Sequence, residues 1–146
     1  MSTQEVHFVE DSPADVDLVE EALEELDYDV TLSVSRDGVE FLEYLESSLS
    51  QESSEDHPDL VVLDIDLPRK DGFEVLEELN DRDDPIPIPI VVLTMSNAEQ
   101  DLRNCYEMHA NACLTKPLGF EAFEELLDSL LDFWLNKAMT VEARGD

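Results

Sequence analysis

Basic residues are scarce in this sequence, where 8 Lys and Arg stand against 38 Asp and Glu and give a formal net charge of −30. A protein of that charge repels the phosphates of nucleic acids and the headgroups of anionic membranes. We therefore expect no nucleic acid and no membrane among its partners. Lysine is scarcer still, because Lys70, Lys116 and Lys137 are the only three, and a lysine beside a motif is correspondingly informative.

Cysteines and long apolar runs are also few. Cys105 and Cys113 are the only cysteines, and we expect each to be a small buried residue in a reducing compartment, without a disulfide framework. Apolar runs such as LVVL fall far short of the roughly 18 residues that a membrane helix needs. The N-terminus MSTQEVHF lacks the charged-then-apolar order of a signal peptide. These absences predict a soluble, cytoplasmic protein.

Hydrophobic residues make up 42% of the 146 residues, which is enough for one buried core. The acids are interleaved with periodic Leu and Val, so we interpret them as the solvated faces of folded elements. We expect one domain over residues 1–137 and a short tail over 138–146. Self-repulsion on this scale is relieved by salt, which favours a halophilic source such as a halophilic archaeon.

Apolar strands alternate with amphipathic helices along the chain, which is typical of a parallel sheet covered on both faces. The first helix is marked by Val16 and Val19 at helical spacing, by Ser12 as N-cap and by Pro13 at the first helical position. The Ser-rich segment 47–58 is predicted to be a flexible loop without chemistry. The predicted strands are 5–9, 30–34, 59–63, 89–93 and 111–114, and the predicted helices are 13–26, 38–46, 73–80, 97–109 and 119–137.

Polar side chains follow four of the predicted strands. In an open parallel sheet the carboxyl ends of the strands share one rim, where ligands bind. An acid pair alone means little in so acidic a chain, but acids combined with a hydroxyl and a scarce lysine at equivalent strand ends predict a functional site. The residues at this rim are Glu10, Asp11, Asp64, Thr94 and Lys116.

Carboxylates gathered on a rim repel one another unless a cation joins them, and oxygen-only ligation suits a hard ion such as Mg²⁺. Such an ion commonly works with a phosphate, whose other oxygens are held by an ammonium and a hydroxyl, here Lys116 and Thr94. An aspartate beside the metal can act as nucleophile and form an acyl phosphate. The stretch DIDLPRKDG, which begins at Asp64, therefore predicts a phosphorylatable aspartate.

The motifs of residues 5–137 resemble those of the CheY-like receiver domains of two-component response regulators. VEDSPAD resembles the family's acidic pair, and VVLDIDLPRKDGFEVL resembles its phosphoacceptor strand and following loop. VVLTMS resembles its switch threonine, and LTKPL its lysine–proline pair. The resemblance implies a doubly wound (βα)5 flavodoxin-like α/β fold, with a five-stranded parallel sheet in the order 2-1-3-4-5.

The same resemblance implies the roles of the site residues. Asp64 would accept the phosphoryl group from a phosphohistidine of a sensor histidine kinase. Thr94 and Lys116 would contact that group. Mg²⁺ would be bound by the carboxylates of Glu10, Asp11 and Asp64 and by the backbone carbonyl of Asp66.

The implied function is that of a single-domain response regulator in a phosphorelay. It would catalyse its own phosphotransfer and autodephosphorylation, and would signal by contact with a downstream target or a phosphotransfer protein. The sequence YEMHANACLTK and the chain end around Phe133 resemble stand-alone receivers that serve phytochrome-type kinases.

Two residues depart from the family pattern. Cys113 stands three residues before Lys116, where many receivers carry a Tyr or Phe that swings inward on activation. Met95 follows Thr94, where a small residue is usual. These departures predict an altered or absent threonine–aromatic switch, unless both are ordinary core-filling residues.

Three alternative functions remain open. Haloacid-dehalogenase-like phosphatases also carry DxD after a buried strand, with Asp64 as nucleophile and Asp66 as acid–base, but here an acid pair precedes that strand. A pseudo-receiver would bind partners without being phosphorylated, and the intact site residues argue against it. A zinc site of Cys105, His109 and Cys113 would need a helix through residue 113, where NACLT is predicted to be a strand.

The fifth predicted helix has an apolar arc of roughly 200°, about twice the stripe that a surface helix needs. Its centre should pack on the sheet while its two flanks are exposed, which predicts a homodimer through this helix. Alternatively, the preceding loop or the tail covers one flank. The central residues are Phe123, Leu127, Leu130 and Trp134, and the flanks are Phe133 with Leu126 and Leu131 with Leu135.

Overall fold

A computed structural model gives the fold of most of the chain. The described residues are 4–26, 28–49, 57–65, 67, 69–82, 86, 88–94, 103–104, 107, 110, 112–117 and 119–137. For residues 136 and 137 the structure describes the backbone alone.

Five parallel strands form one sheet in the order β2-β1-β3-β4-β5. The order and direction confirm the predicted doubly wound fold. Each predicted strand is present. The first two are one residue longer than predicted, and the other three are displaced by one residue, so that Asp64 and Thr94 are the last residues of their strands. The strands are β1 (Gln4–Val9), β2 (Val30–Ser35), β3 (Leu60–Asp64), β4 (Ile90–Thr94) and β5 (Ala112–Thr115).

Four helices are assigned bounds in the described part of the chain. Of the predicted helix 97–109, Arg103, Asn104 and Glu107 are helical, and the rest lies outside the described residues. The helices are α1 (Pro13–Leu26), α2 (Gly38–Leu49), α3 (Gly72–Asn80) and the C-terminal helix (Phe120–Leu131), which continues as a π-helical turn over Asp132–Lys137. None of the helices within these ranges is long and apolar enough to cross a membrane.

The segment 47–58 is only partly the loop that its composition predicts. α2 extends to Leu49 because the apolar spacing of Phe41 and Leu45 continues to that residue, which packs against the core. Ser48 is buried on the same helix. Residues 50–56 lie outside the described part, so the loop prediction stands untested there.

Two hydrophobic cores lie on opposite faces of the sheet. Successive side chains of a strand point to opposite faces. In β3, Val61 and Leu63 accordingly join the core under α2 and α3, while Leu60 and Val62 join the core under α1 and the C-terminal helix. Both faces of β3 and β4 are buried throughout, which explains their uninterrupted apolar sequences.

The C-terminal helix corrects one part of the predicted apolar arc. The central residues Phe123, Leu127 and Leu130 are buried as predicted, but Leu131, predicted to be exposed on a flank, has 0% exposure. It belongs to the same core cluster as Val19 of α1, and α1 packs beside the C-terminal helix. The arc is wide because two neighbours, the sheet and α1, cover it.

The remaining apolar residues of the arc are covered to different degrees. Trp134, predicted to pack on the sheet, is partly buried against the core. Leu126 and Leu135, both predicted to be exposed on the flanks, are partly buried as well. Among the described residues, Phe133 is the large hydrophobic residue whose side chain is exposed, at 52%. Its ring contacts Trp134 edge-on, with a centroid distance of 5.1 Å. The exposed apolar surface is therefore smaller than the sequence predicts.

Candidate functional site

The acidic residues of the rim come from the carboxyl ends of the two central strands. Asp64 ends β3 and is 8% exposed, because β1 and β4 flank the strand on both sides. Glu10 directly follows β1, where its backbone N–H donates to Ser35 O at 2.9 Å, and it is 6% exposed. Asp11 is exposed. The sheet thus buries two carboxylates and leaves a third facing solvent.

Glu10, Asp11 and Asp64 each offer a carboxylate oxygen, and these three oxygens lie within 4.8 Å of one another. Three like charges this close are unfavourable unless a cation neutralises them. An all-oxygen, carboxylate-rich donor set suits a hard divalent ion such as Mg²⁺ or Mn²⁺. The residues present therefore fit the predicted metal. Asp66, whose carbonyl was predicted to help, lies outside the described residues.

Lys116 follows β5 and reaches into this acidic cluster. Its Nζ donates to Glu10 Oε1 at 2.7 Å and lies 3.7 Å from Asp64 Oδ2. Its backbone N–H donates to Thr94 O at 2.7 Å. Burial alone would lower the pKa of the ammonium, but hydrogen bonds to Asp15 and Glu10 and the charge of Asp64 outweigh burial and raise it well above its ordinary value. Lys116 is therefore a permanent cation at the site.

Thr94 is buried at the end of β4, the strand that pairs with β3. Its neighbour Leu93 is in register with Asp64, so the two polar residues lie on adjacent strand ends, as predicted. Met95 and Ser96, which follow it, lie outside the described residues. The structure thus brings together five of the six predicted site residues at one rim.

Asp15 is a site residue that the sequence analysis missed. Its Oδ2 accepts a hydrogen bond from Lys116 Nζ at 2.7 Å. Ser12 caps α1 by accepting from the Asp15 N–H at 3.3 Å, so Asp15 lies in the first turn of the helix. The sequence gives no local signal for this contact, because Asp11 precedes α1 and its spacing from Asp15 is therefore not a helical turn.

The loop after Asp64 is held by charged residues with structural roles. Arg69 has a positive φ of 64° and forms a bidentate ion pair with Asp37, which caps α2 by accepting from the Glu40 N–H. Lys70 pairs with Glu78 of α3. The charged residues that end DIDLPRKDG therefore anchor the loop to the neighbouring helices.

Two further residues fix where α3 begins. Asp71 and Glu74 form a capping box at the start of the helix. Gly72 donates its N–H to Ile65 O at 2.9 Å, and a Cβ at this glycine would lie 2.7 Å from Ile65 Cα. Only glycine permits the loop to approach the end of β3 this closely, so the loop after Asp64 has one defined path.

Cys113 is buried in β5 and belongs to the core cluster that includes Val92. The strand contradicts the helix through residue 113 that the zinc hypothesis requires. Cys105 and His109 lie outside the described residues. The position where many receivers carry a mobile aromatic ring is thus filled by a small core residue.

The family model of the response regulator receiver domain matches residues 6–128. The chain belongs to the response regulator receiver family. Response regulator Rcp1 from Synechocystis sp. is 40% identical over 127 residues, which cover 87% of this chain and 86% of that protein. The receiver fold and the phosphorelay class predicted from the motifs are therefore confirmed, and the phosphatase alternative is set aside.

Solved receiver structures agree with this assignment. The phosphorylated cyanobacterial phytochrome response regulator RcpA is 34% identical with a TM-score of 0.82, and the alignment covers 96% of this chain and 99% of that one. The Mn²⁺-bound form of Rcp1 is 36% identical with a TM-score of 0.78, covering 94% and 98%. The receiver described here is thus a phosphoacceptor signalling domain of the histidine kinase systems.

Proposed function

We propose that Asp64 is the residue that accepts the phosphoryl group. The observation that carries this proposal is the cluster itself, in which the buried Asp64 carboxylate lies within 4.8 Å of the Glu10 and Asp11 oxygens and 3.7 Å from the Lys116 ammonium. A phosphoryl group on Asp64 would stand between a divalent cation and an ammonium. Both charges stabilise the anion that such a group carries.

The transfer is an in-line displacement at phosphorus. A carboxylate oxygen of Asp64 attacks the phosphorus of the kinase phosphohistidine and forms a P–O bond. The P–N bond breaks, its electron pair stays on the imidazole nitrogen, and that nitrogen takes a proton from solvent. Autodephosphorylation follows when water attacks the same phosphorus, which releases inorganic phosphate and restores the Asp64 carboxylate.

Each neighbouring residue has a distinct role in this proposal. Glu10, Asp11 and Asp64 would hold Mg²⁺, with the backbone carbonyl of Asp66 as the predicted fourth ligand, and the ion would supply charge neutralisation for the phosphoryl oxygens. Lys116 donates to one phosphoryl oxygen. The Thr94 hydroxyl, at the adjacent strand end, donates to another. The domain would therefore catalyse both its own phosphorylation and its dephosphorylation.

The partner that supplies the phosphoryl group is a sensor histidine kinase. Because RcpA is a phytochrome response regulator, we propose a phytochrome-type kinase in the cytoplasm. The output is contact with a downstream protein or a phosphotransfer protein. We propose that residues 1–137 form the receiver domain, that 138–146 form a tail, and that the domain pairs with a second copy through its C-terminal helix around Phe133.

The phosphoacceptor assignment is tested by intact-mass measurement after incubation with acetyl phosphate and Mg²⁺. Wild type should gain one phosphoryl group, and Asp64→Asn should gain none, because the amide cannot form the acyl phosphate. Asp17→Asn is the matched control, since it removes the same charge from the exposed face of α1. This control should be phosphorylated like wild type.

Two outcomes would contradict the assignment. Phosphorylation of Asp64→Asn at the wild-type level would place the phosphoryl group on another residue. A wild type that gains no group, even in molar salt where self-repulsion is screened, would favour a pseudo-receiver that binds partners without being modified.

A further inference from the structure

We propose that Asp15 is a positioning residue that holds Lys116 away from the phosphoryl group, so that phosphorylation requires the ammonium to exchange one carboxylate for the phosphoryl oxygen. The inference rests on the proposed role of Asp64. Asp15 lies outside the predicted site, and its effect would be regulatory. Asp15 would set how readily the receiver enters its phosphorylated state.

The ammonium lies closer to Asp15 and Glu10 than to Asp64. Lys116 Nζ lies 2.7 Å from Asp15 Oδ2 and 2.7 Å from Glu10 Oε1, but 3.7 Å from Asp64 Oδ2. The two short contacts are charge-assisted hydrogen bonds, and the third separation is an ion pair without a hydrogen bond. The ammonium is thus bound on the side of α1, displaced from the residue that is to be phosphorylated.

A cleft lies beside the ammonium on the side of α1. Asp15, Glu10 and Lys116 line this cleft of about 170 Å³, which lies between α1 and the start of the C-terminal helix. Asp64 is not among its lining residues, so the space adjoins Asp15 and not the phosphorylation site. The apolar floor of the cleft is formed by Phe8, Leu18, Val19, Leu93 and Phe123.

The charges make Asp15 a competitor of the phosphoryl group. Both are anions that require the same ammonium, and in the part of the chain that the structure describes Lys116 is the cation in contact with this cluster. Movement of the ammonium towards a phosphoryl oxygen on Asp64 would lengthen and weaken its contact with Asp15, which is part-exposed and so the weaker of the two carboxylate partners. The competition lowers the affinity of the site for a phosphoryl group.

The competition is tested with fluoroberyllate, a phosphoryl mimic that bonds to an aspartate oxygen. Its Kd in the presence of Mg²⁺ is measured by calorimetry for the full chain. We expect Asp15→Asn to bind it roughly fivefold more tightly than wild type, the scale of a part-exposed charged hydrogen bond. Asp17→Asn, which removes the same charge two residues away, should leave the Kd unchanged within twofold.

A second readout follows the lysine directly. With three lysines in the chain, the ¹⁵N-labelled ammonium of Lys116 can be assigned by NMR, and its hydrogen exchange measured. In the free proteins this exchange should be faster in Asp15→Asn, because one of two carboxylate partners is lost. With fluoroberyllate bound, wild type and Asp15→Asn should exchange at the same rate, since the ammonium has left Asp15.

The outcomes separate this inference from the proposed function. A wild type that does not bind fluoroberyllate overturns both. If wild type binds fluoroberyllate and Asp15→Asn binds it with an equal or larger Kd, the competition alone is overturned. Asp15→Asn could bind fluoroberyllate more tightly while its Lys116 hydrogen exchange still differs from that of wild type in the bound state. That result would show that Asp15 acts by direct repulsion, and it would overturn the proposal that the ammonium changes partner.

Discussion

At the scale of single residues, His7 shows how a buried polar side chain is satisfied in this sheet. Ser33 Oγ donates to Glu5 Oε2 at 2.7 Å, so it accepts from His7 Nδ1, which is 2.6 Å away. The other ring nitrogen, Nε2, then accepts from the Ser35 hydroxyl at 2.8 Å. The ring also stacks on Tyr44 with a centroid distance of 3.9 Å. Every polar atom of the neutral imidazole has a partner.

Protonation of His7 should destabilise the fold. Burial lowers the pKa of His7 from 6.5 to about 4, so between these values the unfolded chain binds a proton that the folded chain excludes. Stability from this residue is therefore present above pH 6.5 and is lost as the pH falls towards 4. We expect a loss of roughly 3 kcal/mol across this window, measured by urea unfolding of wild type.

The matched variant is His7→Gln, which retains a donor and an acceptor but does not titrate. Carboxylates titrate in both proteins, so the difference between the two free energies of unfolding isolates the histidine. This difference should change with pH only between 6.5 and 4. Parallel stability curves for the two proteins would contradict the account of His7.

The sequence predicts the site residues unevenly, for a physical reason. Asp64 and Thr94 end buried strands, and all strand ends of a parallel sheet meet at one rim, so their proximity follows from the order of elements alone. The contact between Asp15 and Lys116 depends on how the first turn of α1 sits over the end of β5. That position is set by tertiary packing, and no local pattern encodes it.

At the scale of elements, the strands were predicted to within one residue at each end, and the helices that have bounds in the described part of the chain to within three when the π-helical turn is included, because apolar periodicity is a local property. The elements that cover the apolar arc of the C-terminal helix were not predicted. Leu131 is buried because α1 lies beside it, and the sequence of one helix does not reveal its second neighbour. A Leu131→Glu variant would place a charge in the core and destabilise the fold, so it cannot report on self-association.

The homodimer prediction is now best tested at Phe133, which is 52% exposed. In sedimentation equilibrium at molar KCl and tens of micromolar protein, wild type should be dimeric. Phe133→Glu should shift the equilibrium to the monomer, because a carboxylate cannot be buried unpaired in an apolar contact. Ser129→Glu, which adds the same charge at an exposed position of the same helix, should remain dimeric.

Two results would argue against this interface. A wild type that stays monomeric, phosphorylated or not, would exclude the dimer. Equal weakening by Ser129→Glu and Phe133→Glu would mean that added negative charge acts through general repulsion, without a contact at Phe133.

At the scale of the whole molecule, the net charge of −30 is the dominant property. Like charges on a compact surface repel one another, and salt screens them. We expect the melting temperature to climb as KCl is raised from low to molar concentration. A melting temperature indifferent to KCl over this range would refute the prediction of a halophilic protein.

Magnesium should stabilise the fold by a different mechanism. A ligand that binds only the folded state raises its stability according to concentration and affinity, so Mg²⁺ should raise the melting temperature at concentrations too low to screen charge. Asp11→Asn should lose this increment, because it removes one of the three clustered carboxylates. Asp17→Asn should retain it, and retention of the increment in Asp11→Asn as well would indicate charge screening alone.

The central claim, that Asp64 carries the phosphoryl group, is tested most directly by chemical mapping of the modified residue. Borohydride reduces an aspartyl phosphate to homoserine, and peptide mass spectrometry then locates that homoserine in the chain. After reaction with acetyl phosphate and Mg²⁺, the account predicts homoserine at position 64 and at no other acid. Homoserine at another aspartate, or the corresponding alcohol 2-amino-5-hydroxyvalerate at a glutamate, with Asp64 unmodified, would contradict this claim.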